Sequence, residues 1–310
     1  MLEDYINALR AGQRATRAAQ ARGQSPYLAV LDDILRGVNI VAQEPLGLVD
    51  IPAESIVGTK TAGRHTAFAP NFMPILEVDS EFARKWSNLC DAHLEEGIRN
   101  PVTAYEYLNK FYVEEGNKRV SVLKYYEAVK IPGTVTRLVP ERNETLENKI
   151  YYEFLDFYKL SKINYVHFSR LGGYAKLQTL VCKATGESWT DDDRLNFASL
   201  YTMFSQQFYA LGGSALGLTP GDALLVYLAV YRYSDAIEST PAQVRENLSK
   251  LWDEIKILTR PQAVELQLGD PQQSILRDPA SQEVSEAFSK YRNLLESYIL
   301  LKTFSHRFHR

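Results

Sequence analysis

Cysteine is scarce in this chain: 310 residues hold two, Cys90 and Cys182. Disulfide frameworks belong to small secreted domains, so both are expected as buried free thiols on apolar helical stretches. No Cys-x-x-Cys occurs, and His65, His93, His167, His306 and His309 are scattered. No metal-ligand cluster is visible at the spacings a structural zinc needs. No run of eighteen apolar residues exists, so no membrane span is expected. Residues 1–23 lack the apolar centre of a signal peptide and carry acids beside Met1, which makes a cytoplasmic location the expectation. Charge of one sign is also lacking. With 35 Lys+Arg against 38 Asp+Glu the formal net charge is −3 and the sequence pI about 6.0. That argues against a broadly basic nucleic-acid-binding surface and leaves room for a local patch.

What is present is ordinary globular composition, 45% hydrophobic, on a chain long enough for two domains. It is expected to divide into N-terminal helices (1–45), an α/β domain (46–140), a helical domain (141–260) and a linker with a C-terminal helix (261–310). A helix over 5–21 presents Tyr5, Leu9, Ala15 and Ala19 inward and a basic face of Arg10, Arg14 and Arg17 outward; Gly23 stops it. Ser25 and Pro26 start a second helix, 27–35. An amphipathic helix is expected over 82–98. In the helical domain the aromatic-rich segment 150–162 reads as one helix and 174–184 as another. Thr190 or Asp191 caps a helix running to Ala210. Thr219 with Pro220, and Thr240 with Pro241, open two more, to Tyr231 and over 243–256. The aromatic stripes read as core. The last two helices resemble a helix-turn-helix only loosely, because the loop 232–239 is too long. A final helix, 281–304, carries a heptad-like stripe suited to docking or self-association.

The most informative stretch is 110–132, KFYVEEGNKRVSVLKYYEAVKIP. It reads as a strand with Phe111 and Val113 apolar, a tight turn at Glu115 and Gly116, and a helix from Asn117 to about Ala128. A glycine turn opening into a helix offers free N–H groups and the positive end of the helix dipole. Lys118 and Arg119 in the first turn, where cations are usually unfavourable, suggest an anion site, most simply for a phosphate. Upstream, the Gly/Thr/Pro-rich loop 58–74 contains Lys60, Arg64 and His65, expected to face the 116–119 turn across a cleft.

The run 95–135, EEGIRNPVTAYEYLNKFYVEEGNKRVSVLKYYEAVKIPGTV, resembles the core of the ParB/sulfiredoxin-like domain (ParB-like nuclease superfamily). That family's order is a helix ending in Gly, a Pro-hydrophobic strand, a second strand, G-x-x-R opening a helix, and a final strand. The counterparts here are Gly97, Pro101 with Val102, Phe111 to Val113, Gly116 to Arg119, and Thr134 to Val139. The segment 46–64 is similar to the family's opening strand, "IP" turn and Arg-containing loop, with Arg64 in about the loop arginine's place. The resemblance spans 46–140, and it implies an α+β architecture: a small mixed α/β domain followed by a mainly helical one. The chain also looks like the module found ahead of basic-membrane-protein-type substrate-binding domains in some gut bacteria. Sulfiredoxins place a catalytic Cys directly after the glycine; here Asn117 stands there, and asparagine forms no thiolate. Chromosome-partitioning ParB proteins usually carry Gly-Glu-Arg-Arg and bind CTP with the arginine on the phosphates, where this chain has Asn117 and Lys118 between Gly116 and Arg119.

The resemblance implies a regulatory module binding a nucleotide (CTP or ATP, with Mg) or another phosphate through Gly116, Asn117, Lys118, Arg119, Arg64, His65 and Lys60, with coupling to DNA. Two other classes stay open. One is a non-catalytic protein-interaction module with a degenerate site. The other is a Mg-dependent nuclease or nucleotide hydrolase, in which Glu114 and Glu115 hold the metal or activate water. Adjacent strand residues point to opposite faces, which weakens that pair.

Overall fold

The computed structural model describes residues 2–258; the helix expected over 281–304 lies outside them. The protein is mixed α/β with one mixed six-stranded sheet. Its chain divides into two compact units, Met1–Leu155 and Asp156–Arg310.

The first unit carries all the strands found among the described residues. In chain order its elements are α1 (Leu2–Ala21), β1 (Ala29–Val30), α2 (Leu31–Ile34), β2 (Ile40–Pro52), β3 (Ile56–Thr59), α3 (Glu81–Glu96), β4 (Val102–Tyr107), β5 (Lys110–Glu115), α4 (Asn117–Tyr125), β6 (Lys130–Pro140) and the start of α5 (Leu146–Ser161). The sheet order is β1-β3-β5-β4-β6-β2. β1, β3 and β5 run parallel; β4 is antiparallel to β5 and parallel to β6; β2 closes one edge antiparallel to β6. β5 is interior to the sheet and apolar on both faces, with Phe111 and Val113 in the main core and Tyr112 in a smaller cluster on the other side.

Three helices dock on one another through aromatic contacts. Trp86 of α3 donates its indole N–H to Ser121 Oγ of α4 at 2.8 Å and meets Tyr5 of α1 and Tyr125 of α4 edge-on, with centroids at 5.5 and 5.6 Å. The Tyr5 hydroxyl donates to the Leu76 carbonyl at 2.7 Å, and burial pushes its pKa up to about 12.

Several boundaries differ from those expected. The helix over 27–35 is replaced by β1 and the short α2. Residues 29 and 30 pair with Gly58 and Thr59, and this ladder satisfies backbone groups that a helix would otherwise have satisfied. Gly58 makes that pairing possible, since a Cβ there would stand 2.3 Å from the Ala29 carbonyl oxygen. α4 ends at Tyr125, not Ala128: Glu127 takes φ +56° and the chain turns into β6, which starts at Lys130 because it pairs with β2 as far as Pro52.

In the second unit, the rest of α5 is followed by α6 (Gly173–Leu180), α7 (Asp191–Ala210), α8 (Pro220–Val230), α9 (Tyr233–Ile237), α10 (Pro241–Lys250) and α11 (Trp252–Ile257). Thr190, Thr219 and Thr240 each close a capping box with Asp193, Asp222 and Gln243. Local chemistry therefore sets these three starts. The helix expected over 243–256 is two, broken at Leu251, and that expected over 174–184 stops at Leu180, with Cys182 beyond it at φ +63°. Cys182 is thus exposed, not buried on a helix; Cys90 is buried, its thiol pKa pushed by burial up to about 11, and both are free thiols. α8 is buried from Pro220 to Leu228, and α9 occupies the long loop before α10. Trp189, Phe197, Phe204, Phe208 and Tyr227 are interior. No described helix is long and apolar enough to cross a membrane.

Candidate phosphate site at the start of α4

Three parallel strands, β1, β3 and β5, end side by side, and the chain leaves β5 through Gly116 into α4. Gly116 sits at φ +107°, a conformation that L side chains avoid, and a Cβ there would fall 2.8 Å from Val102 Cγ1 and 3.0 Å from Arg119 Nε. Gly116→Ala is accordingly expected to lower stability by about 1–3 kcal/mol, read as a fall in the urea midpoint. A midpoint unchanged from wild type would refute the need for glycine. Being glycine, this N-cap offers no side chain to the first-turn N–H groups, which stay uncapped.

Asn117 is held inward. Its Nδ2 donates to Thr59 Oγ1 at 3.2 Å, and the Thr59 hydroxyl donates to the Val113 carbonyl at 3.0 Å, tying the turn to the end of β3. The Asn117 Oδ1 is buried and has no hydrogen-bond partner among the described residues.

Lys118 lies across the first turn of α3, its Nζ 4.6 Å from the centre of the Phe82 ring. Burial pushes its pKa below the usual lysine range. The charges of Arg64 and Lys85 push the same way, and Glu81 opposes them. Lys118 and Arg64 are therefore electrostatic neighbours, and among the described residues neither makes an ion pair with a carboxylate. Lys85 pairs with Glu81 at 2.6 Å. Arg64 is exposed at φ −141°, where the 3-10 turn Ala62–Ala67 kinks.

The other expected site residues lie differently. Arg119 turns back on the sheet. Its Nη1 donates to the carbonyls of Asn100 and Pro101 at 2.9 and 2.6 Å, and Nη2 stands 3.5 Å from Glu115. Lys60 pairs with Asp32, its Nζ 5.3 Å from the centre of the Tyr105 ring. His65 Nδ1 lies 2.6 Å from the Ala62 carbonyl oxygen and its ring meets Tyr27 edge-on. Glu114 and Glu115 are both exposed at the end of β5. Among the described residues, no group of three His, Cys, Asp or Glu could hold a metal ion.

Of the expected set, then, Lys118 and Arg64 are neighbours, Asn117 lines the turn, and Arg119, Lys60 and His65 have local partners. Phe82 and Lys85 of α3 were not expected at this place. They lie more than thirty residues upstream of the turn, and no local spacing links them to it. No protein-family model matches the chain, and no curated protein does either.

Proposed function

We propose that the first unit is a ParB-like regulatory module that binds the phosphate of a nucleotide or another phosphorylated ligand at the start of α4. The observation that carries this reading is the charge of Arg64 acting on Lys118, two cations that make no ion pair with a carboxylate among the described residues, beside an uncapped helix start. Like charges placed together repel, the opposing charge of Glu81 acts on Lys118 less than that of Arg64 does, and a ligand phosphate relieves the repulsion that is left. In this reading Lys118 and Arg64 neutralise the phosphate, and the N–H groups of the first turn donate to its oxygens. Gly116 allows the close backbone approach. Arg119 acts as a buttress, holding the turn against the carbonyls that precede β4. Glu114 and Glu115 are left outside the proposed chemistry, because neighbouring strand positions face opposite ways.

The test is calorimetric titration of CTP, ATP, GTP and inorganic pyrophosphate, each with Mg²⁺, into wild type and an Arg64→Gln/Lys118→Gln double variant. Micromolar binding is expected, weakened about 10–100-fold in the variant, as befits the loss of two charge-assisted contacts. No heat from any of the four would overturn the reading and favour a protein-interaction module whose sheet is scaffold alone.

A further inference from the structure

A second basic feature lies away from the α4 turn. α1 is seated firmly: Tyr5, Ala8, Leu9, Gly12 and Ala19 are buried, and a Cβ on Gly12 would stand 2.3 Å from the Pro74 carbonyl oxygen. Among the described residues nothing covers the side opposite this seat. Arg10, Arg14 and Arg17 are exposed there at i, i+4 and i+7. The three span about 10 Å along the axis at 1.5 Å per residue.

Three features separate this row from an ordinary solvated face. The acids of α1, Glu3 and Asp4, lie six or more residues before Arg10, and none lies between Tyr5 and Arg22, so no acid stands at i±3 or i±4 to the row; among the described residues none of the three makes an ion pair, and their one side-chain hydrogen bond there is Arg10 Nη1 to Asn7 Oδ1 at 3.5 Å. Arg10 with Arg14, and Arg14 with Arg17, are like-charge pairs at spacings that weaken a helix by a few tenths of a kcal/mol each, roughly. Finally, all five basic residues before Lys60 are arginine: Arg10, Arg14, Arg17, Arg22 and Arg36. A need for solubility alone does not discriminate between the two cations, whereas a guanidinium forks two donors onto a phosphate and an ammonium does not.

We propose that the outward face of α1 binds the phosphate backbone of nucleic acid through Arg10, Arg14 and Arg17, without regard to base sequence. Phosphates along one strand of a duplex recur every ~3.4 Å of axis, so a rigid row of this length meets about three of them. A membrane surface fits less well. Interfacial helices bury their apolar face in lipid, and the apolar face of α1 is already spent in the protein core. The proposal is independent of the α4 site, which shares none of these residues.

The experiment is fluorescence anisotropy with a labelled 20-base-pair DNA duplex at 50 and 200 mM salt. Wild type is expected to bind at 50 mM and to lose about 40-fold in affinity at 200 mM, the slope for three phosphates. An Arg10→Gln/Arg14→Gln/Arg17→Gln variant is expected to lose at least about 10-fold at 50 mM, with the salt slope falling by about three. Arg14→Glu, a single reversal at the centre of the row, should weaken binding as well. A Lys149→Gln/Lys159→Gln/Lys250→Gln variant changes net charge by the same amount elsewhere and should bind like wild type. Absence of binding at 50 mM overturns the proposal. So does an equal loss in both triple variants, or sedimentation with phosphatidylserine vesicles without any binding to DNA.

Discussion

Replacing Arg137 with methionine is expected to cost the protein about 3–5 kcal/mol, the usual penalty for breaking a buried ion pair from one side. Glu106 of β4 and Arg137 of β6 are register partners in parallel strands, and each is 1% exposed. Strand alternation places Glu106 on the same face as Val102 and Ala104, and Arg137 on the face of Ile131 and Val135, so the pair continues the main core. Arg137 Nε donates to Glu106 Oε2, the Tyr151 hydroxyl donates to the same oxygen at 3.1 Å, and the Asn109 N–H donates to Oε1 at 2.7 Å. The Arg137 guanidinium also lies 5.1 Å from the centre of the Phe154 ring. Burial pushes the Glu106 carboxyl above the usual carboxylate range, against the Arg137 charge and these hydrogen bonds.

With the guanidinium removed the charge that opposes burial is lost, and the carboxyl pKa rises further. A raised carboxyl pKa means that the folded state holds the proton more tightly. The variant's deficit should therefore be largest at neutral pH and shrink as pH falls toward the unfolded carboxyl value, about 4.3. Urea unfolding of wild type and Arg137→Met at pH 7 and pH 5 measures both effects. A deficit below about 1 kcal/mol at pH 7 would mean that the pair contributes little. Replacing both partners, as Glu106→Leu/Arg137→Met, should recover part of the loss, because no charge is left buried, while the Tyr151 hydroxyl and the Asn109 N–H lose their acceptor.

Acidification should weaken the second unit through His167. This residue of the helical unit is half-buried as a whole, but both its ring nitrogens are shielded from solvent, and their burial pushes its pKa down to about 4 from an ordinary 6.5. Its carbonyl accepts from Thr219 Oγ1 at 2.7 Å and would lie 2.4 Å from a Cβ on Gly221, so the segment is clamped against the start of α8. The unfolded chain takes up a proton near pH 6.5 and the folded chain does not until about pH 4. Stability is thus fully present above pH 6.5 and falls as pH drops through that value toward 4. The loss amounts to about 2–3 kcal/mol at pH 4.5. Urea midpoints of wild type and His167→Leu, followed by tryptophan fluorescence at pH 7.5 and 4.5, isolate the histidine. The gap between the two proteins should shift in favour of the variant on acidification. A gap that does not move would mean that His167 titrates alike in both states.

Much of the architecture could be read residue by residue. The strand–glycine–helix order at Phe111, Gly116 and Asn117 follows from alternation, turn chemistry and helical spacing, all of which act within a few residues. The same holds for Thr190, Thr219 and Thr240, whose side chains cap the helices they precede. The seat of α1 on Tyr5 and Leu9 was also legible from periodicity, and so was the outward position of its arginines.

Tertiary structure decided what the cations do. Lys118 and Arg119 are adjacent and look equivalent in the chain, yet one lies over Phe82 beside Arg64 and the other is drawn into the carbonyls of Asn100 and Pro101. Lys60 is likewise drawn to Asp32, and β1 exists because Gly58 admits a neighbouring strand. The ion pair of Glu106 and Arg137 joins residues thirty-one positions apart. A side chain's partner depends on which distant carbonyl, ring or carboxylate the fold brings within about 3–5 Å, and local propensity carries no information on that distance.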